Sequence, residues 1–214
     1  MDLSGGRYAD YNEEWLLDGQ PNPPYRRSIS RGDINTAAVT GAATQVPYVV
    51  AVPAQVGDVI NYVTFGIGTL AGTPGATSFV VVYSAMPTAA AAATVLGVSA
   101  VTTFTANANK ILLSAPVVVA PTVGTPQNAV ASTLGNGPVV LGVAIVETWT
   151  TTGSLFDAMA GGAAAFKGLL TGQLPLVTKL PTLGGTPPAV GTSSGTSITA
   201  PATGLVPYVV LSRS

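Results

Sequence analysis

Three carboxylates, Asp58, Glu147 and Asp157, are the only acids after residue 33 of this 214-residue chain. Two carboxylates facing each other across a bond could act as general acid and base, the arrangement glycosidases use. Glu147, with Trp149 two residues further on, is the nearest approach to a sugar site, an acid beside an aromatic surface on which a sugar could stack. The simpler reading is a strand-end carboxylate at the rim of a sheet. The chain has no His and no Cys. That removes Ser-His-Asp and Cys-His nucleophiles, the usual zinc ligand sets and disulfides. No loop gathers the oxygen ligands that calcium requires, and no glycine-rich loop leads into Lys-Ser or Lys-Thr to cradle phosphates. No catalytic, metal-binding or cofactor-binding residue is therefore assigned, no cofactor is expected, and the chain reads as non-enzymatic. Arg31-Gly32-Asp33 spells an integrin-binding tripeptide, but a turn leading into the first strand is the simpler reading.

Charge is scarce and uneven. Asp, Glu, Lys and Arg make up 8% of the chain, against roughly 25% in a typical soluble domain. Ten of the charged residues lie in residues 1–33; beyond them stand Asp58, Lys110, Glu147, Asp157, Lys167, Lys179 and Arg213. A surface this poor in charge is either wetted by Thr, Ser, Asn, Gln and backbone or covered by neighbours, and cover by neighbours is the expectation. The net charge of −1 and the scattered body cations argue against nucleic acid, which needs clustered Lys and Arg. Arg26, Arg27 and Arg31 form a small basic group, but acids flank it. Every apolar run is cut by Pro, Gly, Thr, Asn or Asp, so no span of about 20 apolar residues exists for a membrane helix. A barrel of lipid-facing strands would need aromatic girdles that the chain lacks. Met1-Asp2-Leu3-Ser4-Gly5-Gly6 carries no secretory pattern.

These residues need elements to position them, and the elements read as strands. Apolar residues make up 47%, largely Ala and Val, with 25 Gly and 17 Pro as punctuation. Strands are expected at Val46–Val52, Val59–Ile67, Thr77–Ala85, Val95–Thr103, Ile111–Val119, Val139–Trp149 and Leu205–Ser212. Turns are expected at Ala71–Gly75, at Asn107-Ala108-Asn109 and at Leu134–Pro138. The spacing indicates an all-β fold, a β-sandwich or jelly roll. Leu155–Leu170 is the exception: Phe156, Met159, Ala163, Phe166 and Leu170 fall near helical spacing, so one or two short helical turns are expected there. Residues 171–204, rich in Pro, Gly, Thr and Ser, form an excursion too long for a passive linker. The alanine tract of Pro87–Ala93 is too short to hold a helix and reads as a loop. Val46-Pro47-Tyr48-Val49-Val50 recurs as Val206-Pro207-Tyr208-Val209-Val210, which suggests two similarly placed strands, paired near the ends of the domain. Tyr48, Tyr62, Tyr83 and Tyr208 fall on strands, where packing is the simpler role.

Residues 1–33 read as an N-terminal docking arm and residues 34–214 as the sandwich body. Asp10 and Glu13 form a capping-box pattern before Trp15, Leu16 and Leu17, and Gly19 would stop the helix, giving a short helix near residues 11–18. Gln20-Pro21-Asn22-Pro23-Pro24-Tyr25 then forces an extended path. Tyr8, Tyr11, Trp15, Leu16, Leu17 and Tyr25 are the candidate docking residues, since aromatics on a segment with no core of its own favour contact with a partner. The alternative is an arm folded back on its own body.

Several stretches of the body carry a resemblance. They are Val52–Phe65, Gly72-Thr73-Pro74, Phe79–Tyr83, Thr105-Ala106-Asn107, Lys110–Leu113 leading to Pro116, and Leu141–Ala144. In this order, over about residues 29–212, the chain resembles the jelly-roll domains of structural proteins from tailed phages of actinobacteria, minor tail proteins above all. The third strand lacks that group's tryptophans and its polar turn, and carries an alanine tract, so no ligand site is carried over. The resemblance implies a structural component of a virion, a minor tail or tail-tip protein with other virion proteins as partners. The expected oligomer contains copies of the same chain, with a trimer as the working stoichiometry. A capsid decoration protein on the head is the alternative. A third reading is a host-surface or glycan-binding module, for which Trp149 is the candidate contact.

Overall fold

The computed structural model describes residues 25–28, 35–40, 44–119, 138–160, 176–198 and 205–213. The expected helix near residues 11–18, Arg31-Gly32-Asp33 and residues 161–175 lie outside the described residues. Among the described residues twelve strands run in chain order: β1 Tyr25–Arg27, β2 Asn35–Thr40, β3 Tyr48–Gln55, β4 Val59–Thr69, β5 Phe79–Tyr83 and β6 Val95–Val98, then β7 Asn107–Val118, β8 Pro138–Val146, β9 Leu155–Ala160, β10 Val177–Lys179, β11 Leu205–Pro207 and β12 Val209–Ser212. No helix occurs among the described residues, and so none there is long and apolar enough to cross a membrane. The strands form two antiparallel sheets. One has five strands in the order β10-β3-β8-β5-β6. The other has seven, along β1-β12-β4-β9-β11, with β7 on the free side of β4 and β2 against β9.

The two sheets pack face to face as a β-sandwich. Alternation decides what goes inside. Val50, Val52, Val80, Val82, Leu141, Val143 and Ile145 point inward from the five-stranded sheet, and Val63, Phe65, Ile67, Phe156, Val209 and Leu211 from the seven-stranded one. Phe65 makes an edge-on contact with Phe104 at 4.9 Å and lies 5.8 Å from Phe156, which fills one end of this core. β7 bulges between Leu112 and Val117, and Leu113 there bridges to Ser99 just past β6, so the two sheets are tied together along that side.

A second core lies on the opposite face of the five-stranded sheet. Val49, Ala51, Phe79, Val81, Tyr83, Ala144 and Val146 point that way and are buried. Met86 and Ala93 cover them from the loop after β5, and Leu180, Leu183 and Ile198 cover them from the excursion after β10. Backbone bonds hold the excursion down: Leu183 N–H to the Gln45 carbonyl at 3.0 Å, Val95 N–H to Thr192 at 2.9 Å, Gly191 N–H to Val95 at 2.8 Å and Ser194 N–H to Ala93 at 2.8 Å. Every residue of Phe79–Tyr83 is buried, as continuous apolar strands are when both faces are covered.

Several expectations are corrected. Leu155–Ala160 is a strand, not a helical turn, because Phe156 and Ala158 are buried at a spacing of two and the backbone pairs with β11 and β4. Asn107-Ala108-Asn109 begins β7; the turn precedes it, closed by Asn109, whose Oδ1 accepts the Thr105 N–H and whose Nδ2 donates to the Thr105 carbonyl. The two Val-Pro-Tyr-Val-Val copies are not paired. Val49 and Val50 belong to the five-stranded sheet, against β8 and β10, whereas Val209 and Val210 belong to the seven-stranded sheet, against β4. Pro87–Ala93 is a loop, as expected.

The sheet also begins earlier than residue 34. β1 pairs with β12, and Arg26, opposite Leu211, turns inward. Its guanidinium clasps Asp58, Nε to Oδ2 at 2.7 Å and Nη2 to Oδ1 at 3.2 Å, with both side chains 7% exposed. Asp58 closes a turn from Gln55, its own N–H reaching the Gln55 carbonyl at 3.0 Å and its Oδ2 accepting the Gln55 N–H at 2.8 Å. Gly57 sits at φ +93°, the third position of a turn where a Cβ would be strained. Ser28 completes the anchor: its hydroxyl donates to the Pro207 carbonyl and accepts the Val209 N–H, both at 2.9 Å. Replacing Arg26 with Ala would leave a buried carboxylate without its cation. We expect Arg26→Ala to lower the unfolding free energy by about 3–5 kcal/mol in urea denaturation, with the far-ultraviolet β signature retained below the transition.

Candidate functional site

The three body carboxylates stand in three separate settings. Asp58 is consumed by Arg26. Glu147, expected at a rim, is 3% exposed. Its Oε2 accepts the Ser154 N–H at 2.9 Å, its Oε1 accepts the Ser154 hydroxyl, and the Ser154 oxygen in turn accepts the Ala71 N–H at 2.9 Å. The Glu147 carbonyl also accepts the Gln45 N–H at 2.7 Å. The carboxylate is thus a buried brace that closes the loop between β8 and β9 onto the end of β4. Hydroxyl contacts continue the brace: Thr148 N–H to Ser78 Oγ at 3.0 Å, and the Thr77 and Thr148 hydroxyls 3.0 Å apart. Burial pushes the Glu147 carboxyl up from its ordinary 4.5, and the two bonds from Ser154 pull it part of the way back.

Asp157 lies on the outer face of the seven-stranded sheet, its carboxylate spread over Gly66 and Gly68 of β4. A Cβ at Gly66 would overlap that carboxylate, which is why a glycine interrupts an otherwise strong strand. Among the described residues no group of three or more acids converges as a metal site would require.

Trp149, the candidate glycan contact, is half-buried; it bridges to Pro74, and its N–H backbone group donates to the Thr44 hydroxyl at 3.2 Å. It stands close in sequence to Glu147, but Glu147 faces Ser154 in the interior and has no carboxylate to offer a sugar. Of the tyrosines, Tyr48 and Tyr83 are core residues, and Tyr62 and Tyr208 are half-buried. The Tyr83 hydroxyl has no hydrogen-bond partner among the described residues, and burial pushes its pKa up to about 12. Of the candidate docking residues, Tyr8, Tyr11, Trp15, Leu16 and Leu17 lie outside the described residues, and Tyr25 is placed by its backbone in β1, opposite Ser212.

Two features gave little sequence signal. One is an open cleft of about 490 Å³ beside β10, walled by Val46, Leu180, Pro181 and Ile198, with Lys179, Thr182 and Ser197 at its margin. The other is the outer face of β4 and β7, where Lys110 Nζ stands 4.3 Å from the centre of the Tyr62 ring. The alternation in Val59–Ile67 was the only clue to which residues face outward there.

Comparison with known proteins adds no identity, since the chain matches no protein-family model and no curated protein.

The Glu147 brace carries a pH signature. A carboxyl whose pKa is raised by folding binds more protons in the folded state, so stability rises as pH falls from neutrality toward 4.5 and is lost as pH climbs through the folded value. In urea denaturation between pH 7 and pH 4.5, wild type should gain stability relative to Glu147→Gln on the acid side. Parallel curves for the two proteins would contradict this.

Proposed function

We propose that the chain is a non-enzymatic structural component of a tailed-phage virion, a minor tail or tail-tip protein that assembles through its N-terminal segment. On this reading the sandwich is of the jelly-roll kind. Its early strands pair with late ones (β3 with β8, β4 with β12), and from β3 to β10 successive strands, β5 and β6 apart, alternate between the sheets, as in Greek-key sandwiches. The N-terminal segment, with its helix near residues 11–18, then carries Tyr8, Tyr11, Trp15, Leu16 and Leu17 to a neighbouring subunit.

The observation that carries the reading is the Arg26–Asp58 anchor. It ends the charged N-terminal segment at a fixed point on the edge of the sheet, between the Gln55–Asp58 turn and β12. A segment rooted by a buried ion pair is tied to the body at one place, which limits the entropy that docking on a neighbour must overcome. The chemistry of the body supports the same reading. Two of its three acids are fixed in structural bonds, and the chain brings no His or Cys to act as nucleophile, base or soft ligand.

The anchor also sets where a truncation must stop. Removing residues 1–27 would strip Arg26 from Asp58 and β1 from β12; removing residues 1–24 leaves both in place. The chain beginning at Tyr25 should unfold with the same midpoint as the full chain yet fail to enter particles when it replaces the full chain during phage growth. Normal incorporation of the shortened chain would contradict docking through this segment.

A further inference from the structure

The outer face of the seven-stranded sheet differs from its counterpart on the other sheet in having no covering layer among the described residues. The alternation that buries Val63, Phe65 and Ile67 turns Tyr62, Thr64 and Gly66 outward. The register then puts Val118 beside Val59, Leu112 beside Tyr62 and Lys110 beside Thr64 on the same face. Leu112 is 59% exposed and Val118 61%. On the other side of β4, Phe156 and Ala158 are buried, so Asp157 between them points outward over Gly66. Arg27 of β1 falls on this face as well, opposite Val210, and already has an interaction within the chain.

Two opposite charges therefore flank β4, Lys110 on the β7 side and Asp157 on the β9 side. Neither has an ion-pair partner among the described residues; Lys110 rests on the Tyr62 ring instead. A two-fold axis lying in the plane of contact and running along β4 above Thr64 and Gly66 would lay the β7 side of one copy over the β9 side of the other. Lys110 of one copy would then meet Asp157 of the second, and the reverse, with Tyr62, Leu112 and Val118 meeting apolar surface between them. The area suffices: four strands across and the eleven residues of β4 along give about 700 Å², from strand spacings of about 4.8 Å and rises of about 3.3 Å. Specific interfaces take roughly 600–1,000 Å² from each partner, so this face lies within the range.

We propose that this face is where two copies of the chain meet, sheet against sheet about that two-fold axis. The contact is isologous and closes at two copies, in place of the trimer taken as the working stoichiometry. It deepens the assembly reading, on which it rests, by naming the surface that copies share, as distinct from the surface the N-terminal segment seeks. The apolar residues supply the attraction, and the exposed charges, each worth little alone, set the register.

The test is the mass of the purified full chain by light scattering after size exclusion. Wild type should run at twice the chain mass. Lys110→Asp alone and Asp157→Lys alone should each run at the single-chain mass, because each places like charges at both contacts. Mixed in equal amounts, the two variants should recover the doubled mass, since the mixed pair restores opposite charges at both. A wild type at single-chain mass, or variants that pair as wild type does, would overturn the proposal. Should either charge variant melt below wild type, Leu112→Lys, at a position already mostly exposed, must still abolish pairing; a doubled mass for it overturns the proposal too. A chain that pairs but does not enter particles contradicts the virion reading alone, and one that enters particles unpaired contradicts the pairing alone.

Discussion

The five-stranded sheet is apolar on both faces, and the rest of the molecule is arranged around covering it. Val49 to Val52 is continuously buried, as is all of Phe79–Tyr83, so neither face of β3 or β5 can be left to water. A two-layer sandwich covers only one of them. The other is covered by chain from elsewhere, chiefly Leu180, Leu183 and Ile198 of the excursion after β10. This changes the meaning of the composition. A chain that is 47% apolar and 8% charged suggested a surface hidden by neighbours, but part of the apolar excess is used within the chain, as a second core. On the opposite flank Leu112 and Val118 stand exposed beside Lys110 and Asp157, which have no ion-pair partner among the described residues.

The few charges follow the same logic. With so little of the chain ionisable, five charges among the described residues have a definite setting. Arg26 and Asp58 spend theirs on each other to root β1. Glu147 is held inside by Ser154 at the cost of a raised pKa. Lys110 is held on Tyr62, and Asp157 lies on the bare backbone of Gly66 and Gly68. The first pair fixes where the N-terminal segment leaves the body, and the last two mark a surface with matching positive and negative sides. On the proposed reading both serve assembly.

The strands with strong alternation or unbroken β-branched runs were legible in the sequence. Val59–Ile67 and Thr77–Ala85 read correctly because their patterns are dictated by the core they enter. The short pairings were not: Tyr25–Arg27 and Val177–Lys179 span three residues each and owe their state to partners distant in sequence. Leu155–Ala160 was misread because Phe156, Met159 and Ala163 mimic a helical stripe, while the period-two burial of Phe156 and Ala158 shows only once β4 and β11 are in place. The Asn107–Asn109 turn was displaced by a few residues because Asn109 closes the turn from within the next strand. Glu147 carried no sequence sign of burial, since its partner Ser154 is unremarkable until the loop folds. Arg26 stood among ten charges, and nothing local marked it as the one that would go inside. The excursion over residues 171–204 was recognised as too long to be passive, and among its described residues it forms the cover of the second core.

That cover is the physical claim on which the rest stands, and amide hydrogen exchange of the isolated full chain tests it most directly. If residues 176–198 are a packed third layer, the bonded amides of Leu183, Gly191 and Ser194 will be protected and will exchange in the same cooperative step as those of Phe79–Tyr83 and Val139–Val146. Exchange of those three amides at the rate of free peptide, with the strands still protected, would show that the second face of the sheet is not covered by its own chain.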